Sequence, residues 1–184
     1  ARGEITERYL KSLGLKNIIM GADSAFSMEI SDTSYQEASD YFDYEFQKKK
    51  IVGVSPSSVV EKSCEKCNVN YKKILAEFII YLIEKKDYHV LIIPHSIRKY
   101  SIKSKNNDLL VSRQIHDLVD KKGHCILIAD EINAEVLRVI ISSCNFFVAS
   151  RFHAMISSLS MKVPTIVCGW SHKYLEVLQM FEME

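Results

Sequence analysis

The stretch NFFVASRFHAMISSLSMKVPTIVCGW, residues 145–170, contains three successive patterns that decide the fold class. The run NFFVA at 145–149, which is apolar after Asn145, is typical of a strand that is buried on both faces. Residues 152–161 have the small and apolar composition of a buried helix, and Pro164 then opens a second apolar run at 164–168. A strand, a helix and another strand in direct succession predict two parallel strands joined by a crossover helix.

The same alternation extends back to residue 51. Three apolar runs predict further strands, at 51–55, 89–93 and 124–129. Apolar residues recur at helical spacing in three segments, 71–86, 107–122 and 132–143. A further helix is predicted from residue 171, and Gly123 is a typical signal for the end of the second of the three helices. The sequence therefore predicts a Rossmann-like α/β domain over residues 51–184, with a doubly wound parallel sheet.

The first 50 residues do not follow this alternation. Residues 4–13 have helical spacing and residues 17–20 form a short apolar run, which predicts a helix and then a strand. Residues 27–50 have no clear period, although the segment has room for a helix of its own. We interpret residues 1–26 as the tail of a preceding domain and residues 27–50 as a connecting segment. Because the chain opens on Ala1, we expect a piece of a longer protein.

Composition excludes several classes of protein. A net charge of +1 gives no electrostatic case for binding nucleic acid or an anionic membrane. No apolar stretch approaches the roughly 20 residues that cross a bilayer, so we expect no transmembrane segment. Three of the five cysteines lie in or beside apolar runs. Buried reduced thiols fit that placement, and they indicate a reducing compartment such as the cytoplasm.

Neither a metal nor a nucleotide cofactor is indicated. Cys64 and Cys67 have the CxxC spacing of half a zinc site, but no second pair of ligands follows them. We interpret them as an incidental pair in a loop before a helix, and we predict no metal. Gly53 and Gly169 are isolated, so the glycine-rich fingerprint of dinucleotide-binding proteins is absent and no cofactor is expected.

Chemistry is expected at the carboxyl ends of the predicted strands, where open parallel sheets bind their ligands. Four of these ends carry polar, ionisable or aromatic residues: His95, Asp130, Arg151 with His153, and Trp170 with Lys173. Such clustering predicts that one edge of the sheet is an active site.

Arg151 and His153 gain most from this position, because the N-terminus of a helix favours anions. A guanidinium there can bind a carboxylate or phosphate, and a bound dianion would favour a protonated His153. The alternative is structural, with Arg151 paired to a carboxylate and His153 bonded to a backbone carbonyl. His95 and Lys173 have similar structural alternatives. We expect the pair Asn107–Asp108 to cap the helix that it precedes.

The residues also carry a resemblance to a known family. An arginine before a helix and "LGL" is followed by "GADSAF", by a strand ending in "IPH", by "ND" before a helix, and by "SRFHAMISSLSMKVPTIVCGWSHK". This succession, from Arg2 to Lys173, resembles the polysaccharide pyruvyl transferase family. The resemblance implies a GT-B-like fold, with two Rossmann-like domains facing across a cleft. The chain would hold the tail of the first domain and most of the second, with the closing helices missing from its end.

The resemblance implies a reaction as well. The family transfers the enolpyruvyl unit of phosphoenolpyruvate to two hydroxyls of a sugar or lipid-linked saccharide, in exopolysaccharide biosynthesis, and forms a cyclic pyruvate ketal. It implies that His153 is the general acid and that Arg151 and Arg2 bind the donor. His95 and Lys173 match family motifs as further substrate-binding residues. Gly3 stands where an aspartate is common in the family.

Two other functions are compatible with the residues alone. A GT-B glycosyltransferase could use the same arginine, histidine and lysine to hold the diphosphate of a nucleotide sugar. A non-catalytic Rossmann-like module that binds a partner protein would instead have Arg151 and His153 tied up in internal pairs, with no cleft above them.

Overall fold

A computed structural model describes residues 1–41, 43–98 and 106–183, and a five-stranded parallel sheet lies at its centre. The strands are β1 Ile51–Ser55, β2 His89–Ile92, β3 Cys125–Leu127, β4 Phe146–Ala149 and β5 Thr165–Val167. Their order is β3-β2-β1-β4-β5, and each neighbouring pair is parallel. The five predicted strands are confirmed to within two residues at each end. The order reverses between β1 and β4, which is where such sheets open a crevice for ligands.

Helices connect and cover these strands. They are α1 Glu4–Ser12, α2 Asp32–Ala38, α3 Tyr44–Gln47, α4 Ser58–Lys66, α5 Tyr71–Lys86, α6 Leu109–Val119, α7 Ala134–Ser142, α8 Phe152–Ser160 and α9 His172–Met180. Short 3-10 turns lie at Ser24–Ser27 and Ser39–Tyr41. The predicted helices at 4–13, 71–86, 107–122, 132–143, 152–161 and from 171 are thus confirmed, with some ends displaced.

Successive residues of the central strands contribute to two separate cores, one on each face of the sheet. Leu91 and Phe147 pack with α7 and α8, whereas Val90 and Val148 pack with α5 and α6. A Cβ on Gly53 would lie 2.4 Å from the Phe147 ring, so this glycine in β1 leaves the space that the ring fills. Because both faces of the central strands β1, β2 and β4 are covered, these strands are largely apolar, which is why they stand out in the sequence. The edge strand β5 is only partly covered, and Ile166 is 52% exposed. The α/β class and the Rossmann-like sheet are confirmed.

Three local predictions are wrong. Residues 17–20 form no strand in the part of the chain described, and Ile19 is 86% exposed, because no neighbouring strand offers them hydrogen bonds. Cys64 lies in the last turn of α4 rather than in a loop, since the Ser57 hydroxyl accepts from the Val59 N–H and starts a helix there. Helix α6 ends at Val119, where Asp120 takes the left-handed conformation three residues before Gly123.

The N-terminal segment packs against the sheet domain. In α1, the Thr6 N–H and hydroxyl both donate to the buried Glu176 carboxylate of α9, at 2.7 and 3.0 Å. The Arg138 guanidinium of α7 donates to the Ala25 carbonyl. These contacts hold residues 1–26 beside the carboxyl edge of the sheet.

Two negative findings concern the described ranges only. Among those residues, no helix is both long enough and apolar enough to span a bilayer. Over the same residues, no group of three or more histidine, cysteine or acidic side chains is arranged to hold a metal ion.

Candidate active site

A cavity of about 400 Å³ lies beyond the carboxyl ends of β2, β4 and β5. Five residues singled out from the sequence line it: His95, Arg151, His153, Trp170 and Lys173. Arg2 reaches the same place from the N-terminal segment, with its guanidinium carbon 4.7 Å from the ring centroid of Phe152, another lining residue. Residues that are distant in sequence thus meet at one edge of the sheet.

The turn between β4 and α8 is held from beneath by two buried tyrosines. The Tyr71 hydroxyl donates to the Ser150 hydroxyl, and the Tyr174 hydroxyl donates to the Ser150 carbonyl, each at 3.2 Å. Burial raises the pKa of both tyrosines to about 12, so they stay neutral in the physiological range. Arg151 follows as the N-cap of α8, with an extended backbone and no side-chain cap. The start of α8 is therefore fixed in place.

Arg151 forms a buried ion pair. Its Nε and Nη2 donate to the two carboxylate oxygens of Asp108, at 2.7 and 2.6 Å, and Nη2 also faces the Ser58 hydroxyl at 3.2 Å. Asp108 is fully buried, while 14% of the Arg151 side chain is exposed. The structural alternative for Arg151 is thus realised, yet the residue also lines the cavity, so pairing and access coexist.

The Asp108 side chain does not cap α6, which corrects the prediction for the pair Asn107–Asp108. Its carboxylate is engaged by Arg151 and by the Ser58 N–H instead. Asn107 alone serves the helix, because its side-chain oxygen accepts from the Leu109 N–H at 3.2 Å. A local pattern indicated the cap, and contacts distant in sequence override it.

His153 is exposed at the second position of α8, and it makes no hydrogen bond to a carbonyl among the described contacts. Its pKa lies below the usual value of 6.5, first because of partial burial and then because Lys173 and Arg2 repel the imidazolium. The Asp23 carboxylate opposes this lowering. In the empty site, His153 is therefore mostly neutral at neutral pH.

Asp23 lies between Arg2 and His153. It accepts from Arg2 Nη1 and from the Ala25 N–H, each at 3.0 Å. Burial raises the pKa of Asp23, but the bonds from Ala25 and Arg2 and the charge of His153 outweigh it, so the pKa lies below its usual value. The carboxylate is thus charged and links the N-terminal segment to the α8 turn.

Two cations share one aromatic surface. Lys173 Nζ lies 4.8 Å from the ring centroid of Phe152 and 5.1 Å from that of Trp170, and Arg2 also stands over Phe152. These distances are typical of cation–π contacts. Burial lowers the pKa of Lys173, and Arg2 and Arg151 lower it further. A bound anion would relieve this crowding of positive charge.

His95 borders two cavities. Its Nε2 lies 3.4 Å from the Ser157 hydroxyl, and burial, followed by the charges of His153 and Arg151, lowers its pKa to about 4. It is therefore neutral at pH 7. The second cavity, of about 290 Å³, lies beyond β2 and β3, and its lining includes Asp130. Asp130 therefore lines a different cavity from Arg151, His153 and Lys173.

The family model described as polysaccharide pyruvyl transferase matches residues 1–172 of the 184. The chain belongs to the polysaccharide pyruvyl transferase family. The resemblance read from the sequence is confirmed, and the family name indicates a transferase acting on polysaccharide. No match is found among curated proteins.

Within this polysaccharide pyruvyl transferase chain, sequence reasoning missed four charged residues in or near the site, among them Arg98, which lines the cavity. Asp23 lies in the "GADSAF" segment that marked the family, but it had no role assigned. Asp108 was interpreted as a cap. Arg138 lies inside α7 and gave no signal, although its guanidinium is buried and no described carboxylate pairs with it. Four cationic side chains, Arg2, Arg98, Arg151 and Lys173, lie at the cavity, and the carboxylates of Asp23 and Asp108 pair with Arg2 and Arg151. The charge of Arg138 also lowers the pKa of His153.

Proposed function

We propose that the protein transfers the enolpyruvyl unit of phosphoenolpyruvate to two hydroxyls of a sugar, forming a cyclic pyruvate ketal and releasing phosphate. The observation that carries the proposal is the convergence of Arg2, Arg151 and Lys173 with His153 on one cavity. Phosphoenolpyruvate bears both a carboxylate and a phosphate. An excess of positive charge at a helix N-terminus is the environment that such a donor requires.

Three cationic residues bind the donor in this proposal. Arg151 binds the donor anion from the start of α8, Arg2 binds it from the N-terminal segment, and Lys173 adds charge from α9. The ring of Phe152 makes cation–π contacts with both Arg2 and Lys173. The donor's negative charge also compensates the buried Arg138, which has no described carboxylate partner.

The reaction needs one proton donor near the alkene. His153 transfers a proton to the methylene carbon of phosphoenolpyruvate, which leaves an oxocarbenium-like centre at the neighbouring carbon. One sugar hydroxyl adds there and loses its proton, and the second hydroxyl then displaces phosphate and loses its own. The products are a ketal with a methyl group and inorganic phosphate. A donor dianion beside His153 favours the imidazolium just when the acid is needed.

His95 is suited to a neutral partner, because its lowered pKa keeps it uncharged at pH 7. We assign it to a hydrogen bond with the donor phosphate or an acceptor hydroxyl. The acceptor is a sugar or a lipid-linked saccharide in exopolysaccharide synthesis.

The proposal extends to the protein as a whole. Residues 51–184 correspond to the second domain of a GT-B-like enzyme, residues 1–26 to the tail of the first, and residues 27–50 to the connection. The five described cysteines are free, which suits a reducing cytoplasm.

The experiment is release of phosphate from phosphoenolpyruvate in the presence of sugar diols, together with thermal stability in the presence of phosphoenolpyruvate or nucleotides. We expect phosphate release that depends on the diol, and stabilisation by phosphoenolpyruvate because a ligand of the folded state raises its stability. Stabilisation by a nucleotide, with none from phosphoenolpyruvate, would instead identify a nucleotide-sugar glycosyltransferase. No response to either ligand would favour a non-catalytic module.

A further inference from the structure

The buried carboxylate of Asp108 takes no part in the proposed reaction, although it makes the closest contacts to Arg151. Its oxygens lie 2.7 and 2.6 Å from Nε and Nη2 of the guanidinium. The Ser58 hydroxyl lies 3.2 Å from the same Nη2. One edge of the guanidinium is therefore fully occupied by the protein itself.

The chemistry of arginine determines which atoms remain. A guanidinium has five N–H donors, one on Nε and two on each terminal nitrogen. Asp108 takes the Nε proton and one on Nη2, and Ser58 is placed to take the other. Only the two protons of Nη1 are left for a ligand. The common fork of Nε and Nη2 is thus unavailable to an anion in the cavity.

Asp108 is itself held rigidly. One carboxylate oxygen accepts from the Ser58 N–H at 2.9 Å, and the Asp108 N–H donates to the carbonyl of Ser96 at 2.7 Å. The carboxylate therefore joins the start of α4, the start of α6 and the start of α8 at one buried point. Arg151 is held from a fixed support rather than from a mobile side chain.

We propose that Asp108 is a positioning residue for donor binding, which acts by fixing Arg151 so that its Nη1 faces the cavity. This inference rests on the proposed function for the identity of the donor. A guanidinium that is already oriented before the anion arrives loses less rotational freedom when the anion binds. The entropic cost of binding is therefore smaller, and the anion binds more tightly. Arg151 therefore binds the anion through Nη1 alone.

A purely structural ion pair would behave differently. Its loss would lower stability and the fraction of active protein, and so lower kcat, but it would leave the donor KM of the remaining molecules unchanged. A positioning residue changes the donor KM, and its effect disappears once Arg151 no longer offers a guanidinium.

The experiment compares Asp108→Asn, Arg151→Gln and the double variant, with Asp117→Asn as the matched control on the exposed side of the same helix. Donor KM and kcat are measured by phosphate release, and phosphoenolpyruvate affinity by calorimetry. We expect Asp108→Asn to raise the donor KM about tenfold with kcat within about twofold, as for loss of one oriented ionic contact. Arg151→Gln should raise KM further, and adding Asp108→Asn to it should change KM no more.

Several results would overturn the proposal. A donor KM for Asp108→Asn equal to that of Asp117→Asn would do so, as would an undiminished Asp108 effect in the Arg151→Gln background. If Asp108→Asn does not fold, Ser58→Ala removes the hydroxyl contact to Nη2, and it should raise KM about two- to threefold. An unchanged KM there is equally decisive.

Failure of the proposed function gives a separate result. A parental protein that neither binds nor consumes phosphoenolpyruvate contradicts that function without testing Asp108. The same variants are then compared by calorimetry with inorganic phosphate as the probe. Weaker phosphate binding in Asp108→Asn than in Asp117→Asn remains the expected result, and equal binding overturns the inference.

Discussion

His153 is the residue on which the proposed chemistry depends, and its surroundings bias it towards the neutral form. Partial burial and the neighbouring Lys173 and Arg2 lower its pKa, while Asp23 partly restores it. A donor dianion adds negative charge at the same place. The protonated form of His153 is therefore favoured when the donor is bound, and the neutral form is favoured without it.

The first prediction concerns His153→Asn. We expect donor binding nearly intact and kcat lower by about 10²–10⁴-fold, the usual contribution of one positioned proton donor. The measurement is phosphate release across donor concentrations. His172→Asn is the matched control, because it is also an exposed histidine in the first turn of a helix but does not line the cavity. Parental turnover in His153→Asn would remove the assignment, although the low pKa of His95 makes that residue a poor replacement acid at pH 7.

The second prediction concerns Asp23→Asn and the pKa of His153. Asp23 stabilises the imidazolium of His153 and also pairs with Arg2. Neutralising Asp23 therefore removes its attraction for the imidazolium and leaves the positive charge of Arg2 uncompensated. The pKa of His153 should fall further below 6.5, and the protonated fraction at pH 7 should fall with it. Proton NMR titration of the ring measures this, with His153→Asn to assign the signal. Phosphoenolpyruvate should move the pKa upward in both proteins; an Asp23→Asn titration that coincides with the parental one contradicts the electrostatic link.

At the scale of elements, the sequence predicted what local patterns encode. Strands β1, β2 and β4 are buried on both faces, so each appears in the sequence as a largely apolar run, whereas β5 at the edge of the sheet leaves Ile166 52% exposed. The carboxyl ends of the strands located the site. Asp108 and Asp23 could not be placed this way, because their partners lie 43 and 21 residues away. The strand prediction for residues 17–20 was wrong for a related reason, because a strand needs a neighbouring strand as its hydrogen-bond partner.

The docking of α1 against α9 connects element packing to the site, and Gly3→Ala tests it. The backbone of Gly3 is extended, so only space is at issue, and a Cβ there would lie 2.5 Å from the Glu176 side chain. Glu176 also accepts from the Thr6 N–H in the first turn of α1. We expect a loss of about 1–3 kcal/mol of stability, typical of overpacking, and a higher donor KM because Arg2 is adjacent.

Urea denaturation and donor kinetics measure the two effects of Gly3→Ala. Gly21→Ala is the control, since this glycine belongs to the same N-terminal segment and has no atom within 4 Å of an added Cβ. Equal stability and equal donor KM in the two variants would show that α1 does not depend on this contact.

At the scale of the whole molecule, the positive charge at one edge of the sheet lowers the stability of the folded protein at acidic pH. The net charge is only +1, but Arg2, Arg98, Arg151 and Lys173 lie together at the cavity. Protonation of His95 or His153, which line the same cavity, adds to the repulsion between these cations. Stability in acid therefore depends on groups that remain neutral in the folded state, and His95 is the one among them whose pKa is lowered most.

The last prediction follows from the pKa of His95, which is about 4 in the folded protein against 6.5 for a histidine in water. Above pH 6.5 the residue is neutral in both the folded and unfolded states, and it contributes no pH dependence. As pH falls from 6.5 towards 4, the unfolded chain takes up a proton that folded His95 refuses, so the free energy of unfolding decreases. A tenfold difference in proton affinity between the two states corresponds to about 1.4 kcal/mol. Because His95 is only half-buried, solvent screening reduces this effect, and we expect about 1–2 kcal/mol over the interval.

His95→Asn should lose that much less stability than the parental protein between pH 7 and pH 4.5, by urea denaturation, while His172→Asn serves as the control outside the cavity. Parallel stability curves for His95→Asn and the parental protein would mean that His95 takes up its proton as readily when folded as when unfolded.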